Sequence, residues 1–276
     1  MEIDELVRKI KNIEIQGATA IAAEGLKALK EIGERDGFGK RFSDASRKLV
    51  DARPTGIVLY NCVSVVESAD DKLRKIDELL GRLKNDNCNI GRKGSEKITG
   101  GDTIMTHCHS SAVVEIFKEA KRQGKKFRVI VTETRPLYQG LKTANDLKKS
   151  GIDFTYCIDS AAGYFMPECT KLLFGSDAFR RDGIYNKIGT YLMALMAKER
   201  GVEVVSAGST LKLDFDERSR IEMRPAGEVA KEKFDVRNPA FDLTPWKLVD
   251  FVATEDGLKR PKEIVKMLDR SSPSHP

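Results

Sequence analysis

The sequence predicts an α/β protein, with an N-terminal helical domain over residues 1–100 followed by a doubly wound, Rossmann-like parallel-sheet domain over residues 101–276. Three observations carry this expectation. Through the first hundred residues, apolar side chains recur at helical spacing, as in Ile3, Leu6, Ile10 and Ile13 and then Ile21, Leu26, Leu29 and Ile32. A polar, glycine-containing stretch at 85–101 then breaks the pattern and reads as a linker. Beyond it, short apolar runs alternate with amphipathic stretches, the rhythm of a parallel sheet covered on both faces.

The elements follow in order. A strand at Thr103–Thr106 leads to a helix from about Ser110, and a strand at Phe127–Thr132 leads to a helix from about Gln139. A strand at Phe154–Ile158 precedes a short helix from Ser160, and a strand at Lys171–Phe174 follows. A helix over Lys187–Arg200 and a strand over Val202–Ala207 continue the cycle. The runs Phe241–Thr244 and Phe251–Thr254 and a helix at Pro261–Leu268 are expected to complete the sheet domain, before a frayed tail of Ser, Pro and His. In such a sheet, ligands collect at the carboxyl ends of the strands.

Composition narrows the function classes. The chain's 276 residues, 40% hydrophobic, are enough to bury a core and argue against disorder. A net charge of +6 suits anionic ligands, but it is spread along the chain, so nucleic acid is not expected. The basic run from Lys118 to Lys126 reads as a solvated helix end. No segment approaches the length of apolar chain that spans a bilayer, and the N-terminus lacks a signal pattern, so a cytoplasmic protein is expected. Five cysteines, an odd number without metal-type spacing, predict free thiols.

Cys108 is the most informative position, since it falls where a strand ends and a helix is about to begin. A helix N-terminus and the flanking His107 and His109 are expected to lower its pKa and favour the thiolate. Zinc held by His107, Cys108 and His109 is disfavoured, because adjacent residues of an extended chain point to opposite faces and no second cluster completes four ligands. No metal or other cofactor is expected. Ser110 and Ser111 could hold a phosphate at the helix start or simply cap it. Asp159 closes the next strand but one, so a thiol and a carboxylate from different strand ends are expected to converge. Arg53, Arg135, Asn186, Lys187 and Lys212 supply cationic and amide groups beside prolines, glycines or strand ends, suited to a substrate with two phosphates. Asp177, at another strand end, could orient ligand hydroxyls or cap a turn.

Eight ordered blocks then resemble one superfamily: Arg53-Pro-Thr, Thr106-His-Cys-His-Ser, Thr132-Glu-Thr-Arg-Pro, Asp159-Ser-Ala-Ala, Gly175-Ser-Asp-Ala, Asn186-Lys-Ile-Gly-Thr, Ile221-Glu-Met-Arg and Asn238-Pro-Ala-Phe-Asp-Leu-Thr-Pro. The superfamily holds archaeal ribose-1,5-bisphosphate isomerases, methylthioribose-1-phosphate isomerases and the alpha, beta and delta regulatory subunits of the initiation factor 2 exchange factor. Its isomerases carry a catalytic cysteine and aspartate that regulatory relatives commonly lack, and this chain has both. The resemblance is nearest to the ribose-1,5-bisphosphate enzymes.

It implies conversion of ribose 1,5-bisphosphate to ribulose 1,5-bisphosphate in nucleotide (AMP) salvage. Cys108 as thiolate would take the C2 proton, and a protonated Asp159 would assist ring opening. Substrate binding is expected from Gln16, Gly17, Ala18, Arg53, Ser110, Arg135, Asp177, Asn186, Lys187 and Lys212. The resemblance also implies a possible AMP activator and a homodimer or homohexamer. Two departures stand out: Gln16 precedes Gly17-Ala18 where the family usually has a basic residue, and Gly163 stands where a second one is common. The alternatives are a non-catalytic regulatory subunit that binds a sugar phosphate or nucleotide, and an isomerase of another sugar 1-phosphate.

Overall fold

The computed structural model describes residues 2–12, 14–15, 17–53, 55–232 and 235–269. Gln16 and the expected tail at 271–276 lie outside them. Five helices come first: α1 (Ile3–Lys11), α2 (Ala18–Asp36), α3 (Lys40–Ala52), α4 (Ile57–Glu67) and α5 (Lys72–Gly94). The remaining elements are β1 (Thr103–Thr106), α6 (Ser111–Arg122), β2 (Arg128–Thr132), α7 (Gly140–Lys149), β3 (Asp153–Cys157), α8 (Ala162–Phe165), β4 (Lys171–Gly175), β5 (Ala178–Phe179), β6 (Gly183–Lys187), α9 (Thr190–Glu199), β7 (Glu203–Ala207), β8 (Phe241–Pro245), β9 (Phe251–Thr254), β10 (Gly257–Lys259) and α10 (Pro261–Leu268). No described helix is long and apolar enough to cross a membrane.

The described residues form two compact units, one drawn from 2–85, 211–220 and 268–269 and the other from 86–210 and 221–267. The sequence places a single boundary near residue 100, whereas the chain crosses within α5 and the segment 211–220 returns to the first unit. In that helical unit the apolar stripes read from the sequence do close a core. Leu6, Ile21, Leu26, Leu29, Leu49, Leu59 and Val66 are buried together, each such side chain stabilising by about 1.5–3 kcal/mol. Asn61 on α4 donates to the carbonyls of Leu211 (2.9 Å) and Leu213 (2.8 Å), which fastens the returning segment.

The second unit is built on a seven-stranded sheet in the order β10-β9-β7-β4-β1-β2-β3, parallel except for the β9–β10 pair. From β1 the chain steps outward through β2 to β3, then crosses to the other side of β1 to place β4 and β7, so the order reverses beside β1. Ile104, Val113, Ile116, Phe117, Val129, Val131, Leu173 and Val205 fill the space between sheet and helices.

Three expectations are corrected. The stretch 85–101 is largely helix, because α5 continues to Gly94. The helix expected from Lys187 begins at Thr190, and Asn186 and Lys187 end strand β6 instead. The run at Phe241 does not join the parallel sheet; as β8 it pairs antiparallel with β6 in a separate three-stranded sheet, β5-β6-β8. The short antiparallel strand β10, not anticipated, covers the β9 edge.

Candidate active site

Four neighbouring parallel strands, β4, β1, β2 and β3, end at Gly175, Thr106, Thr132 and Cys157. The residues just beyond therefore crowd one edge of the sheet: Asp177 after β4, Cys108 after β1, Thr134 and Arg135 after β2, and Asp159 after β3. Thr134, to which the sequence assigned no role, joins Cys108 to Asp159. The Cys108 N–H donates to Thr134 Oγ1 (2.8 Å), and the Thr134 N–H donates to Asp159 Oδ1 (2.8 Å). The Arg135 N–H donates to Asp159 Oδ2 (2.7 Å), so main-chain donors engage both carboxyl oxygens. The Cys108 carbonyl accepts from Thr143 Oγ1 (2.8 Å). Cys108 and Thr134 have left-handed backbones, with φ of 67° and 62°, a conformation uncommon for L-residues and especially costly for β-branched threonine.

The expected lowering of the Cys108 pKa is reversed. Burial pushes the thiol up to about 11; Lys187 opposes that shift, while Asp177 and Asp159 add to it. The histidines supply no cation, because burial lowers the pKa of each. His107 Nε2 lies 2.8 Å from the Ile188 carbonyl, which can only accept. Nε2 therefore carries the proton of the neutral ring, and Nδ1 accepts from Thr132 Oγ1 at 2.6 Å. His109 instead bonds Asp146 Oδ2 on α7 at 3.0 Å. The resting form of Cys108 at neutral pH is thus the thiol.

Strand β6 brings Asn186 and Lys187 to the same edge. Asp177 Oδ2 and the Gly175 carbonyl both lie 3.3 Å from one end of the Asn186 amide, so that end is the NH2 group, and the other end accepts from Thr190 Oγ1 at 2.9 Å. The structure thereby gathers Cys108, Asp159, Asp177, Asn186 and Lys187. Behind Lys187, Asp242 on β8 accepts from the Gly189 N–H (2.7 Å) and the Tyr191 N–H (3.2 Å), tying down the turn into α9. Burial raises its pKa to about 6. Asp242 was not among the expected site residues; its place in the Asn-Pro-Ala-Phe-Asp block was the available signal.

Ser110 acts as the N-cap of α6, its Oγ accepting from the Val113 N–H at 3.5 Å. It also packs directly on the end of β4, where a Cβ at Gly175 would sit 2.6 Å from the Ser110 Cβ. The Arg135 guanidinium is exposed, donates to Tyr138 Oη and to the Val229 carbonyl (3.3 Å), and lies over the Tyr138 ring. The other expected binding residues belong to the helical unit. There Gly17 (φ 93°) and Ala18 begin α2, Arg53 ends α3, and Lys212 closes a 3-10 turn. Among the described residues, no three His, Cys, Asp or Glu side chains converge as a metal site requires.

A model of the Initiation factor 2 subunit family matches residues 14–261. The chain is 37% identical to a protein of Archaeoglobus fulgidus named ribose 1,5-bisphosphate isomerase, over 95% of this chain and 90% of that one. It is 35% identical to a Pyrococcus abyssi protein named putative translation initiation factor eIF-2B subunit 2-like, over 93% and 96% of the two chains. Among solved structures, a translation initiation factor eIF-2B from Pyrococcus horikoshii OT3 matches with a TM-score of 0.86 at 30% identity, covering 95% of this chain and 98% of that one.

Proposed function

Because the chain belongs to the initiation factor 2 subunit family, we propose that it is the aldose–ketose isomerase that converts ribose 1,5-bisphosphate to ribulose 1,5-bisphosphate, with Cys108 and Asp159 as its proton-transferring pair. Relatives named for that reaction, at 34–38% identity over nearly the whole chain, support the reading. The single observation that carries it in the structure is the Cys108–Thr134–Asp159 bridge, which links the backbone of the thiol-bearing residue after β1 to the carboxylate after β3, across the end of β2.

The raised thiol pKa exchanges the roles expected from the sequence. A furanose bearing a C1 phosphate cannot open to a free aldehyde, so the C1–O4 bond must break with the phosphate attached. Cys108 gives its proton to O4 as that bond breaks, and the nearby Lys187 ammonium stabilises the thiolate that remains. The Asp159 carboxylate takes the C2 proton, and the C–H electron pair becomes the C1=C2 bond of an enol phosphate. In the return half, the thiolate takes the proton of the C2 hydroxyl as the C2=O bond forms, and Asp159 delivers its proton to C1. Both groups finish as they began, and no electrons leave the substrate. By family resemblance, Arg53 and Lys212 are assigned to substrate phosphate, and the KM of each alanine variant tests that assignment.

The deciding assay follows ketose formation from ribose 1,5-bisphosphate, with and without AMP. Cys108→Ser and Asp159→Asn are each expected to lower kcat by roughly a hundredfold or more without changing the circular dichroism spectrum. With substrate deuterated at C2, Asp159→Asn should also abolish washout of the label. Normal turnover in either variant would overturn the assignment. The finer parts of the proposal are a cytoplasmic location, a role in AMP salvage, activation by AMP and assembly as a homodimer or homohexamer. Exposed apolar side chains on the α/β unit, among them Leu141, Ile158, Tyr164 and Leu192, support assembly, and light scattering tests it.

The second reading, a regulatory subunit, is favoured by the likeness to proteins named as initiation factor subunits. It predicts recovery of the translation factor in a pull-down and no turnover of any pentose bisphosphate.

A further inference from the structure

We propose that the helical unit holds a second small-molecule site, formed where the returning segment meets α3 and α4, and that it takes a phosphate monoester with a flat or apolar body. The site is a cavity of about 510 Å³ whose lining includes Phe38, Phe42, Ser46, Val63, Tyr60 and Arg218.

Its construction begins with the returning segment. Asn61 holds the carbonyls of Leu211 and Leu213, and Tyr60 Oη donates to Asp216 Oδ2 at 2.8 Å. The buried Asp214 carboxylate accepts from the main-chain N–H groups of Arg218 and Ser219, both at 2.8 Å, which fixes the backbone that carries Arg218. The guanidinium then lies 4.0 Å from the Tyr60 ring centroid.

Two polar atoms remain unanswered there. Arg218 Nε is buried without a hydrogen-bond partner, and so is the hydroxyl of Ser46, a residue only 1% exposed. Buried donors in a folded protein nearly always have a partner, and an unpaired one carries a desolvation penalty. Both residues line the cavity, and a turn of either side chain toward it would let a seated anion answer the group.

The rest of the lining fixes the ligand class. It includes three cations, Arg47, Lys72 and Arg218, against one carboxylate, Glu67, an excess that matches a dianion. Arg47 pairs only loosely with Asp44, at 3.4 Å, and its side chain is largely exposed. Lys72 donates to the main-chain carbonyls of Glu67 and Ala69, which leaves its charge uncompensated by those contacts. Phe38 and Phe42 meet edge to face, with centroids 5.1 Å apart, and with Val50 and Val63 they give the cavity an apolar side. A phosphate on the Arg218–Ser46 side and a ring against the phenylalanines would satisfy both halves.

The test is calorimetric titration of the full-length protein with phenyl phosphate, with inorganic phosphate and benzyl alcohol as partial probes. Phenyl phosphate should bind at a single site, inorganic phosphate more weakly, and benzyl alcohol not measurably. Arg218→Gln should weaken phenyl phosphate binding by roughly tenfold or more, since a charge-assisted contact is lost. Ser46→Ala should weaken it by roughly three- to tenfold without lowering the Tm of the unliganded protein, because the lost hydroxyl had no partner. It therefore keeps the test intact if Arg218→Gln folds poorly. Lys187→Met should bind as wild type does. Absence of binding at millimolar phenyl phosphate overturns the proposal. Unchanged affinity in both Arg218→Gln and Ser46→Ala also overturns it, as does loss of binding in Lys187→Met alone, which would put the probe at the sheet edge.

Discussion

The protonation state of Cys108 decides which group acts as acid, and it can be measured directly. Burial lifts the thiol from the ordinary 9.0 to about 11. At about pH 7.5 that leaves roughly one molecule in 3,000 as thiolate, against roughly one in 30 for an unshifted thiol, a hundredfold difference worth about 2.7 kcal/mol. Carbamidomethylation by iodoacetamide reads the thiolate alone. Trypsin releases Cys108 in residues 98–118 and the exposed Cys88 in residues 85–92, so mass spectrometry follows both thiols in one digest. Limited access to a half-buried thiol scales the rate of Cys108 at every pH alike, but it leaves the midpoint of the profile in place. The rate should therefore climb about tenfold per pH unit through pH 10 and level off only near 11.

The same shift links to stability. The folded state holds the thiol proton more tightly than the unfolded chain, so this contribution is complete below about pH 9 and is lost as pH rises through 11. Unfolding must be monitored alongside alkylation for that reason. A midpoint below about 8.5, in the range of an unperturbed cysteine, would refute the reasoning. Cys108 would then rest as a thiolate suited to remove the C2 proton, and the two roles would revert.

Four further outcomes follow from the same geometry. Lys187→Met removes a cation that favours the thiolate, so the Cys108 profile should move further alkaline and kcat should fall by roughly ten- to a hundredfold; an unmoved profile would separate Lys187 from the thiol. Gly140→Ala puts a Cβ 1.9 Å from the Thr132 carbonyl at the end of β2, and should cost at least about 3 kcal/mol in urea denaturation. Asp242, raised by burial to about 6, takes up a proton more readily in the folded state, so acidification from about pH 7 to 4 favours folding through this group by at most about 3 kcal/mol. Asp242→Asn should flatten that part of the Tm–pH curve relative to wild type. Thr134→Gly relieves roughly 1–3 kcal/mol of left-handed backbone cost, offsetting its lost hydroxyl bond, so stability should hold within about 1 kcal/mol while kcat drops; Thr134→Ser should restore most of the activity.

The parts of the fold legible in the sequence are those whose signal is local. Apolar residues three and four apart announced α1 and α2, and short β-branched runs such as Arg128–Thr132 announced the parallel strands. Strand β6 escaped and the run of β8 was given to the wrong sheet because their partnership is not local: Gly183–Lys187 finds Phe241–Pro245 across more than fifty residues, and neither alternates cleanly. The misread linker has a different cause. Its glycines looked like helix breakers, yet a Cβ at Gly91 would lie 3.0 Å from the Glu115 carbonyl and one at Gly94 would lie 2.3 Å from Ile116 Cδ1. Those positions are small because α6 packs against α5 there, and glycine in a helix costs only about 1 kcal/mol.

For the candidate site, strand-end position identified Cys108, Asp159 and Asp177, but their chemistry was hidden because it depends on burial. The sequence shows two histidines flanking a cysteine and suggests positive charge; the fold makes both neutral by burying them, a penalty on the charged ring that outweighs the opposing pull of the Ile188 carbonyl on one and of Asp146 on the other. Thr134 was equally invisible, since nothing local marks a threonine for a left-handed backbone. Its conformation is held from both sides, by a bond received from the Cys108 amide and a bond given to Asp159. Release of either neighbour would let Thr134 relax toward an ordinary backbone and carry the other with it. The acid and the base are therefore positioned jointly, and substitutions at Cys108 and Asp159 that disturb the main chain should be non-additive in their effects.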